Sequence, residues 1–468
     1  MQDLDRKFAT SPLTNWALVI IALAIALYWS VNPSDIPLQS PDSTSYIRFD
    51  DYRGAGYPAL LALLHWLTGS LDYIVELQLL LVVLSTAFLA IRFTAFCGSA
   101  IAGLILLLTI TMNPFFMRYC FSILSEALFF SSLMLFLAIA VERNRPASRT
   151  FILLGMCLAW LVLIKPVAWA FISIPVLLAV HSFLRYRQFV RPILTFSMGV
   201  ILIIALGAMY RHSVHGVYSP GSFLGNQLAG KLIFAEFDAK DIRYPEAGQK
   251  WLNYMEIPKQ VRTEAFQDLD EKFLFSINIY DYIRFVKSPH IVAAAGPGDQ
   301  SVIQGELARS ILFQDPGAFV EDVGLQLYGL WTMATLQPAG LVERYMEKVS
   351  IYQPRMPVGV TLYAINGRVG WMVIALKGGF YLLCGLSLAC ILAGLYHWLV
   401  RRKAMNQTAS MLFYLSAAIH SYYLLVATFQ AALPRYLFAG WPILVMLALI
   451  LTLWVTRFGC LRSMDKIN

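Results

Sequence analysis

Residues 192–210 read PILTFSMGVILIIALGAMY, a run that contains no charged side chain. A helix of about 20 apolar residues is long enough to cross the hydrocarbon core of a lipid bilayer. Residues 16–31, WALVIIALAIALYWSV, form a second such run after a polar start that carries Arg6 and Lys7. That run lacks a small-residue cleavage site, which favours a retained anchor over a signal peptide. Both runs predict membrane-spanning helices.

The composition of the whole chain agrees with this interpretation. Of its 468 residues, 58% are apolar and 14% are charged. A soluble domain averages about 45–50% apolar and about 25% charged residues, so the composition argues against a water-soluble enzyme. Eight further spans are predicted at 72–92, 99–113, 121–141, 150–165, 166–184, 368–400, 409–432 and 434–456. A β-barrel would show shorter, alternating segments, so we predict an all-α polytopic membrane protein with about ten transmembrane helices.

The formal net charge of +8 is distributed unevenly among the predicted loops. When the spans are threaded alternately, fifteen of the 36 Lys and Arg residues lie on one side, against five in the short loops of the other side. Short loops rich in Lys and Arg remain cytoplasmic, so both termini are predicted to be cytoplasmic. The excess of cations therefore indicates topology and not a nucleic-acid partner.

Two segments are predicted to lie on the non-cytoplasmic side, and they define the domain organisation. The long segment has a helical pattern over 249–285 and 300–336. We predict an N-terminal transmembrane module over 1–210 with a first outer loop at 32–71, a large, mainly helical extracytoplasmic loop domain over 211–367, and C-terminal transmembrane helices over 368–468.

The first outer loop has the densest set of reactive side chains. Residues 40–69 read SPDSTSYIRFDDYRGAGYPALLALLHWLTG, and Gly54, Gly56 and Pro58 predict a tight turn before an apolar helix. The acids of the loop are Asp35, Asp42, Asp50 and Asp51, with Arg48 and Arg53 close by. A partly desolvated carboxylate at a membrane surface suits general-base catalysis. The alternative is a solvated loop whose charges only keep it out of the lipid.

Ionisable residues within or at the ends of the predicted spans are further candidates. Glu126 lies inside the span 121–141, about one and a half turns from its outer end, where an ionisable group is costly unless it has a partner. Its carboxylate either contributes to a functional site or forms a structural pair with Arg118 or Lys165. Lys165 and Arg435 are isolated cations at outer span ends, which suits a lipid phosphate or simple snorkelling to the interface.

Sequence motifs of several other protein classes are missing. The chain has no Walker A sequence, no GxSxG elbow and no HExxH zinc motif. His212 and His215 are more typical of ordinary interface residues than of metal ligands. Nucleotide-binding and serine-hydrolase functions therefore have no support in the sequence.

Five segments together resemble the GT-C superfamily of membrane glycosyltransferases. In chain order they are PDSTSY at 41–46, GYPALLALL at 56–64, LSEALF at 124–129, GMCLAWLVLIKP at 155–166 and PRYLFAGWPIL at 434–444. The similar branch uses lipid-phosphate sugars and includes the protein mannosyltransferases and the aminoarabinose transferase of lipid A. Lys165 departs from the pattern, because many relatives have an Arg-Pro pair there.

The resemblance implies that a sugar moves from a polyprenyl phosphate to an acceptor hydroxyl on the non-cytoplasmic face. Asp42 resembles the general base, and Arg118, Lys165 and Arg435 would hold the leaving phosphate. Asp50 or Asp51 would bind sugar hydroxyls, or a divalent cation (Mg, Mn or Zn) if one is used. The expected substrate-binding set also includes Tyr46, Arg53, Glu126 and Tyr436.

The resemblance also implies partners and a location. The expected partners are the lipid-linked donor, membrane lipids and an acceptor that is a protein, a glycan or a lipid. A bacterial inner membrane with a periplasmic active site is the favoured location. Two other classes remain open: a flippase or transporter of lipid-linked sugars, and an O-antigen-type polymerase or ligase.

Overall fold

The computed structural model describes residues 11–31, 38–40, 42–50, 52–141, 147–218, 224–283, 287–296, 300–350, 363–365, 370–401 and 405–464. The chain divides into two compact units. The first comprises Met1–Gly221, Gly385–Tyr422 and Phe438–Asn468, and the second comprises Ser222–Cys384 and Tyr423–Leu437.

Helices account for most of the first unit. They are α1 (Pro12–Ser30), α2 (Ser43–Ile47), α3 (Gly56–Thr68), α4 (Ile74–Cys97), α5 (Ala100–Thr111), α6 (Pro114–Met117), α7 (Glu126–Ala140), α8 (Ser148–Ile164), α9 (Ser173–Tyr186) and α10 (Val190–His215). Two 3-10 segments, Arg118–Phe121 and Pro166–Ile172, precede α7 and α9. The side chains of Ser99 and Asn113 cap the first turns of α5 and α6, because each accepts hydrogen bonds from backbone amides there.

The second unit contains shorter helices and one small parallel sheet. Its elements are α11 (Leu224–Lys231), a 3-10 turn (Ala239–Asp241), α12 (Pro245–Ala265), α13 (Leu269–Tyr282), α14 (Ser288–Ala294), α15 (Gln300–Gln314), α16 (Pro316–Trp331), β1 (Leu336–Pro338), α17 (Ala339–Ser350) and β2 (Tyr363–Ile365). Leu336 is in register with Tyr363. The remaining helices are α18 (Gly370–Leu399), α19 (Gln407–Phe429), α20 (Pro434–Ala439) and α21 (Trp441–Met464).

The prediction of an all-α membrane protein is confirmed, but ten membrane crossings are not. Each of the ten predicted segments contains a helix. Within the described parts of the chain, six helices are long and apolar enough to cross a bilayer, or seven if the bent pair Ala100–Thr111 and Pro114–Phe121 counts as one span. The shorter apolar helices are Glu126–Ala140, Ser148–Ile164 and Trp441–Thr456.

The two helical patterns of the long loop are each divided by an acidic residue. Asp268 lies between α12 and α13, and Asp315 lies between α15 and α16. The Asp315 side chain accepts a hydrogen bond from the backbone amide of Ala318, which caps α16. An aromatic core holds this unit together, with Phe266 lying 4.9 Å from Phe275 and 5.5 Å from Tyr345 between ring centres.

The start of α7 differs from the prediction in a way that matters for the site. Residues 118–121 form a 3-10 turn, and Ser122 pairs with Leu38 in a parallel bridge. Helix α7 begins only at Glu126, so Glu126 lies in the first turn and not one and a half turns inside a span. The wrong depth came from the apolar residues before Glu126, which extend the hydropathy run without being helical.

Candidate active site

The first outer loop is fixed to the segment that precedes α7. The backbone amide of Leu38 donates to the carbonyl of Phe121 at 2.9 Å, and the amide of Ile123 donates to Leu38 at 3.2 Å. The Ser43 hydroxyl donates to the carbonyl of Ile123 at 2.9 Å. These bonds hold α2, and with it Asp42 at its N-terminal end, close to the start of α7.

Arg53 organises the polar side chains of this loop. Its Nη2 donates to Asp42 Oδ1 at 2.6 Å, its Nε donates to Ser45 Oγ at 2.8 Å, and its Nη1 donates to the Tyr46 hydroxyl at 3.2 Å. The guanidinium carbon also lies 4.2 Å from the centre of the Tyr46 ring. A planar guanidinium with several fixed donors can orient a carboxylate in this way, whereas an ammonium group cannot.

The exposure and charge of this group suit a reactive carboxylate. The Asp42 side chain is 23% exposed and that of Arg53 is 15% exposed, so the pair is only partly open to solvent. Burial by itself lowers the pKa of Arg53, but the charge and the hydrogen bond of the neighbouring Asp42 carboxylate help to raise this pKa above its ordinary value. Arg53 therefore remains cationic and keeps a positive charge beside Asp42.

A second ion pair lies between α7 and the end of α8. Lys165 Nζ lies 2.7 Å from Glu126 Oε1, and the side chains are 12% and 2% exposed. Pro166 disfavours a helical conformation for the preceding residue, and Lys165 has extended backbone angles at the C-terminal end of α8. The first turn of α7 is a favourable place for the Glu126 carboxylate because of the helix dipole.

Tyr46 lies between the two ion pairs. Its hydroxyl is 2.9 Å from Ser125 Oγ, next to Glu126 in the chain. Burial raises the pKa of Tyr46; the charges of Arg53 and Lys165 oppose this rise, and those of Glu126 and Asp42 add to it. All four charged groups therefore lie within electrostatic reach of one phenol, which stays neutral.

Two glycines bring the loop against the end of α8. A Cβ atom at Gly54 would lie 2.2 Å from the carbonyl oxygen of Leu163, and one at Gly56 would lie 2.7 Å from Ile164 Cγ1. Such distances are far below van der Waals contact, so only glycine permits this approach. The close contact places Arg53 beside the segment that carries Lys165.

Sequence reasoning missed several residues that support this cluster. Arg211, 2% exposed, lies near the C-terminal end of α10, and its Nη1 donates to the carbonyl of Arg53 at 2.7 Å. Gln78 accepts from the Tyr57 hydroxyl at 2.9 Å and donates to the carbonyls of Cys120 and Ser122. Gln78 could have been noticed as a polar residue in an apolar span, whereas Arg211 resembles any interfacial cation.

The structure thus brings together Asp42, Tyr46, Arg53, Glu126 and Lys165 from the predicted set. Asp50 lies nearby and accepts a hydrogen bond from the Tyr52 hydroxyl at 3.0 Å. Arg118 is exposed on the 3-10 turn, and Lys165 is an observed partner of Glu126. The predicted alternative in which Glu126 pairs with Lys165 is therefore observed, and Lys165 is not an isolated cation.

Three predicted site residues fall outside this group. Asp51 lies outside the described residues. Arg435 and Tyr436 belong to the second unit, where the Tyr436 hydroxyl donates to Gln430 Oε1 at 3.0 Å. Within the described part of the chain, no group of three His, Cys, Asp or Glu residues is placed to hold a metal ion.

Comparisons with known proteins add no identification. No family model matches the chain, and no curated protein or solved structure is significantly similar to it.

Proposed function

We propose that this protein is a GT-C-type membrane glycosyltransferase that transfers a sugar from a polyprenyl phosphate to an acceptor hydroxyl. The observation that carries the proposal is the partly exposed Asp42 carboxylate, held by Arg53 in the first outer loop. A fixed, partly desolvated carboxylate next to apolar helices is what a general base for a lipid-linked donor requires.

The proposed reaction is a single displacement at the anomeric carbon. The acceptor oxygen attacks that carbon while Asp42 takes the hydroxyl proton. The bond between the anomeric carbon and the phosphate oxygen breaks, and the polyprenyl phosphate leaves with the bonding electrons. Negative charge grows on the phosphate in the transition state, where nearby fixed cations are stabilising.

The remaining residues have supporting roles in this proposal. Arg53 orients Asp42, and Tyr46 and Glu126 shape the wall of the donor site. Lys165, Arg118 and Arg435 supply positive charge to the phosphate, with Tyr436 beside Arg435. Asp50 and Asp51 bind sugar hydroxyls or a divalent cation. The motif at 434–444 carries the assignments of Arg435 and Tyr436, and that of Asp51 depends on its place in the first outer loop.

The proposal includes a membrane arrangement. The chain crosses a bacterial inner membrane about ten times, with both termini in the cytoplasm and the first outer loop in the periplasm. The asymmetric distribution of Lys and Arg supports this orientation. A periplasmic site matches a donor whose sugar faces away from the cytoplasm.

The test uses the purified full chain, a panel of radiolabelled polyprenyl-phosphate monosaccharides and a membrane extract as acceptor source. We expect one donor to be cleaved, with label moving into a second product. Asp42→Asn should lower the turnover by about 100- to 10,000-fold while donor binding stays close to wild type. Asp72→Asn, an exposed acid outside the cluster, is the matched control.

Two results would contradict the proposal. If Asp42→Asn retains near wild-type turnover, Asp42 is not the base and Asp50, Asp51 or Glu126 takes its place as candidate. If no donor is cleaved but intact lipid-linked sugar crosses a liposome, the protein is a transporter.

A further inference from the structure

A network of buried, hydrogen-bonded polar side chains lies within the second unit. It begins with Lys231 at the end of α11, whose Nζ lies 3.2 Å from Asp322 Oδ2 on α16. The two side chains are 0% and 6% exposed. A charge pair removed from water in this way needs further hydrogen bonds to satisfy its remaining polar atoms.

Ser276 and Gln326 extend this hydrogen-bond network from Asp322. The Ser276 hydroxyl on α13 donates to Asp322 Oδ1 at 2.6 Å. Gln326, one turn after Asp322 on α16, donates from Nε2 to Ser276 Oγ at 3.1 Å. Both side chains are buried, with Gln326 at 0% exposure, so the carboxamide is fixed in one orientation.

The other end of the same carboxamide holds a distant segment of the chain. Gln326 Oε1 accepts a hydrogen bond at 2.8 Å from the backbone amide of Ala432, which is 106 positions further along the sequence. Ala432 is 1% exposed, so water cannot replace this acceptor. Because Nε2 is already bound to Ser276, the oxygen can point only towards Ala432.

Ala432 lies within the segment that carries Arg435 and Tyr436. This segment, residues 430–437, comprises a short turn and the start of α20. The Leu433 amide donates to the Ala431 carbonyl at 2.8 Å, and the Tyr436 amide donates to the Leu433 carbonyl at 3.0 Å. The side chains of Tyr436 and Gln430 bond to each other across the turn. Its backbone therefore depends on a few hydrogen bonds, of which Gln326 supplies the one from α16.

We infer that Gln326 is a positioning residue, which sets the backbone of 430–437 and thereby the placement of Arg435. The inference rests on the proposed function, because it makes the loop domain a support for the phosphate-binding motif of the donor site. The carboxamide of Gln326 is held in place by the network of Lys231, Asp322 and Ser276. This carboxamide in turn holds the backbone of 430–437. A change at Gln326 then alters how the donor phosphate is held without touching Asp42.

The first readout is local hydrogen exchange, measured by mass spectrometry on the full chain in detergent. Gln326→Leu removes the acceptor for the Ala432 amide, and we expect peptides covering 430–437 to exchange about tenfold faster. Gln304→Leu is the matched control, because it removes a comparable bond, from Gln304 Nε2 to Ser288 Oγ at 2.6 Å, in the same unit.

The second readout is the kinetics of transfer. We expect Gln326→Leu to raise the KM for the polyprenyl-phosphate donor about tenfold and to change kcat little. Gln304→Leu should leave both constants near wild type.

The possible outcomes separate the inference from the proposed function. If the hydrogen-exchange rate at 430–437 is unchanged in Gln326→Leu, the positioning role is overturned. It is also overturned if Gln304→Leu raises the exchange rate at 430–437 equally, because this would indicate general destabilisation. Faster local exchange with unchanged donor KM also overturns the link to the donor. If the wild-type protein cleaves no donor, the proposed function fails, and the exchange data still decide whether Gln326 holds the turn.

Discussion

At the scale of single residues, the charged side chains of the candidate site form ion pairs that are largely shielded from solvent. Asp42 is matched with Arg53, and Glu126 is matched with Lys165. Each pair joins two side chains of low exposure, so removal of one partner leaves a charge with reduced compensation. The pairs therefore constrain stability as well as chemistry.

The buried pair gives a prediction for stability that is independent of any activity. Glu126→Gln removes the carboxylate beside Lys165 and should destabilise the protein by about 3–5 kcal/mol, because an ammonium group then loses its anion in a poorly hydrated site. Thermal unfolding of the detergent-solubilised protein measures the effect. Combining it with Lys165→Met should recover much of the loss, because neutral side chains replace both charges.

A matched control for that prediction is available in the same unit. Glu76 also lies in the first turn of a helix, α4, but its side chain is exposed. Glu76→Gln should therefore change the free energy of unfolding by no more than about 0.5 kcal/mol. A similar, small effect at Glu126 would mean that the pair with Lys165 contributes little.

At the scale of elements, the position of the site depends on how closely the first outer loop approaches α8. Gly54 and Gly56 allow that approach, and Arg211 at the end of α10 fixes the carbonyl of Arg53 from another direction. The first outer loop, α8 and α10 thus together determine where Arg53 lies. Arg53 in turn determines where the Asp42 carboxylate points.

The close approach of the first outer loop to α8 can be tested by adding one methyl group at Gly54. Gly54→Ala places a Cβ against the Leu163 carbonyl, so we expect a loss of about 1–3 kcal/mol in stability and a displaced loop. The unfolding midpoint and the transfer rate should both fall. Gly324→Ala, a helical position with no atom within 4 Å of the added Cβ, should be neutral or slightly stabilising. Equal behaviour of the two variants would contradict the close contact.

At the scale of the whole molecule, the apolar faces of the helices fit a lipid environment. Helices α1 and α10 expose large side chains along much of their length, for example Ile20 at 62% and Ile201 at 67%. Exposed apolar faces of this extent are unfavourable in water and favourable in a bilayer. Orientation in the bilayer is then determined by the Lys and Arg residues of the connecting loops.

The proposed orientation predicts which loops a reagent reaches from outside. Ser70→Cys, in the first outer loop, should react with a membrane-impermeant maleimide on intact spheroplasts. Gln188→Cys, between α9 and α10, should react only after permeabilisation. The wild-type chain, with its own six cysteines, gives the background. Labelling of Gln188→Cys from outside would reverse the proposed topology.

The sequence by itself determined the helical class and the place of the candidate base. Hydropathy is a local property, so a run such as 192–210 predicts a helix whatever surrounds it, and α10 covers it. The acids and Arg53 of the first outer loop lie within a few residues of one another, so their proximity also followed from the sequence. Its error at Glu126 arose because an apolar run does not reveal where a helix begins.

Only the tertiary structure decided which charges meet. Lys165 and Glu126 are 39 positions apart, Arg211 and Arg53 are 158 apart, and Gln326 and Ala432 are 106 apart. A contact between distant positions depends on how helices pack and on where the chain can approach closely, as at Gly54. No local pattern encodes that packing, and for this reason the sequence left Arg118 and Lys165 both open as partners of Glu126, and Arg211 and Gln326 did not stand out at all.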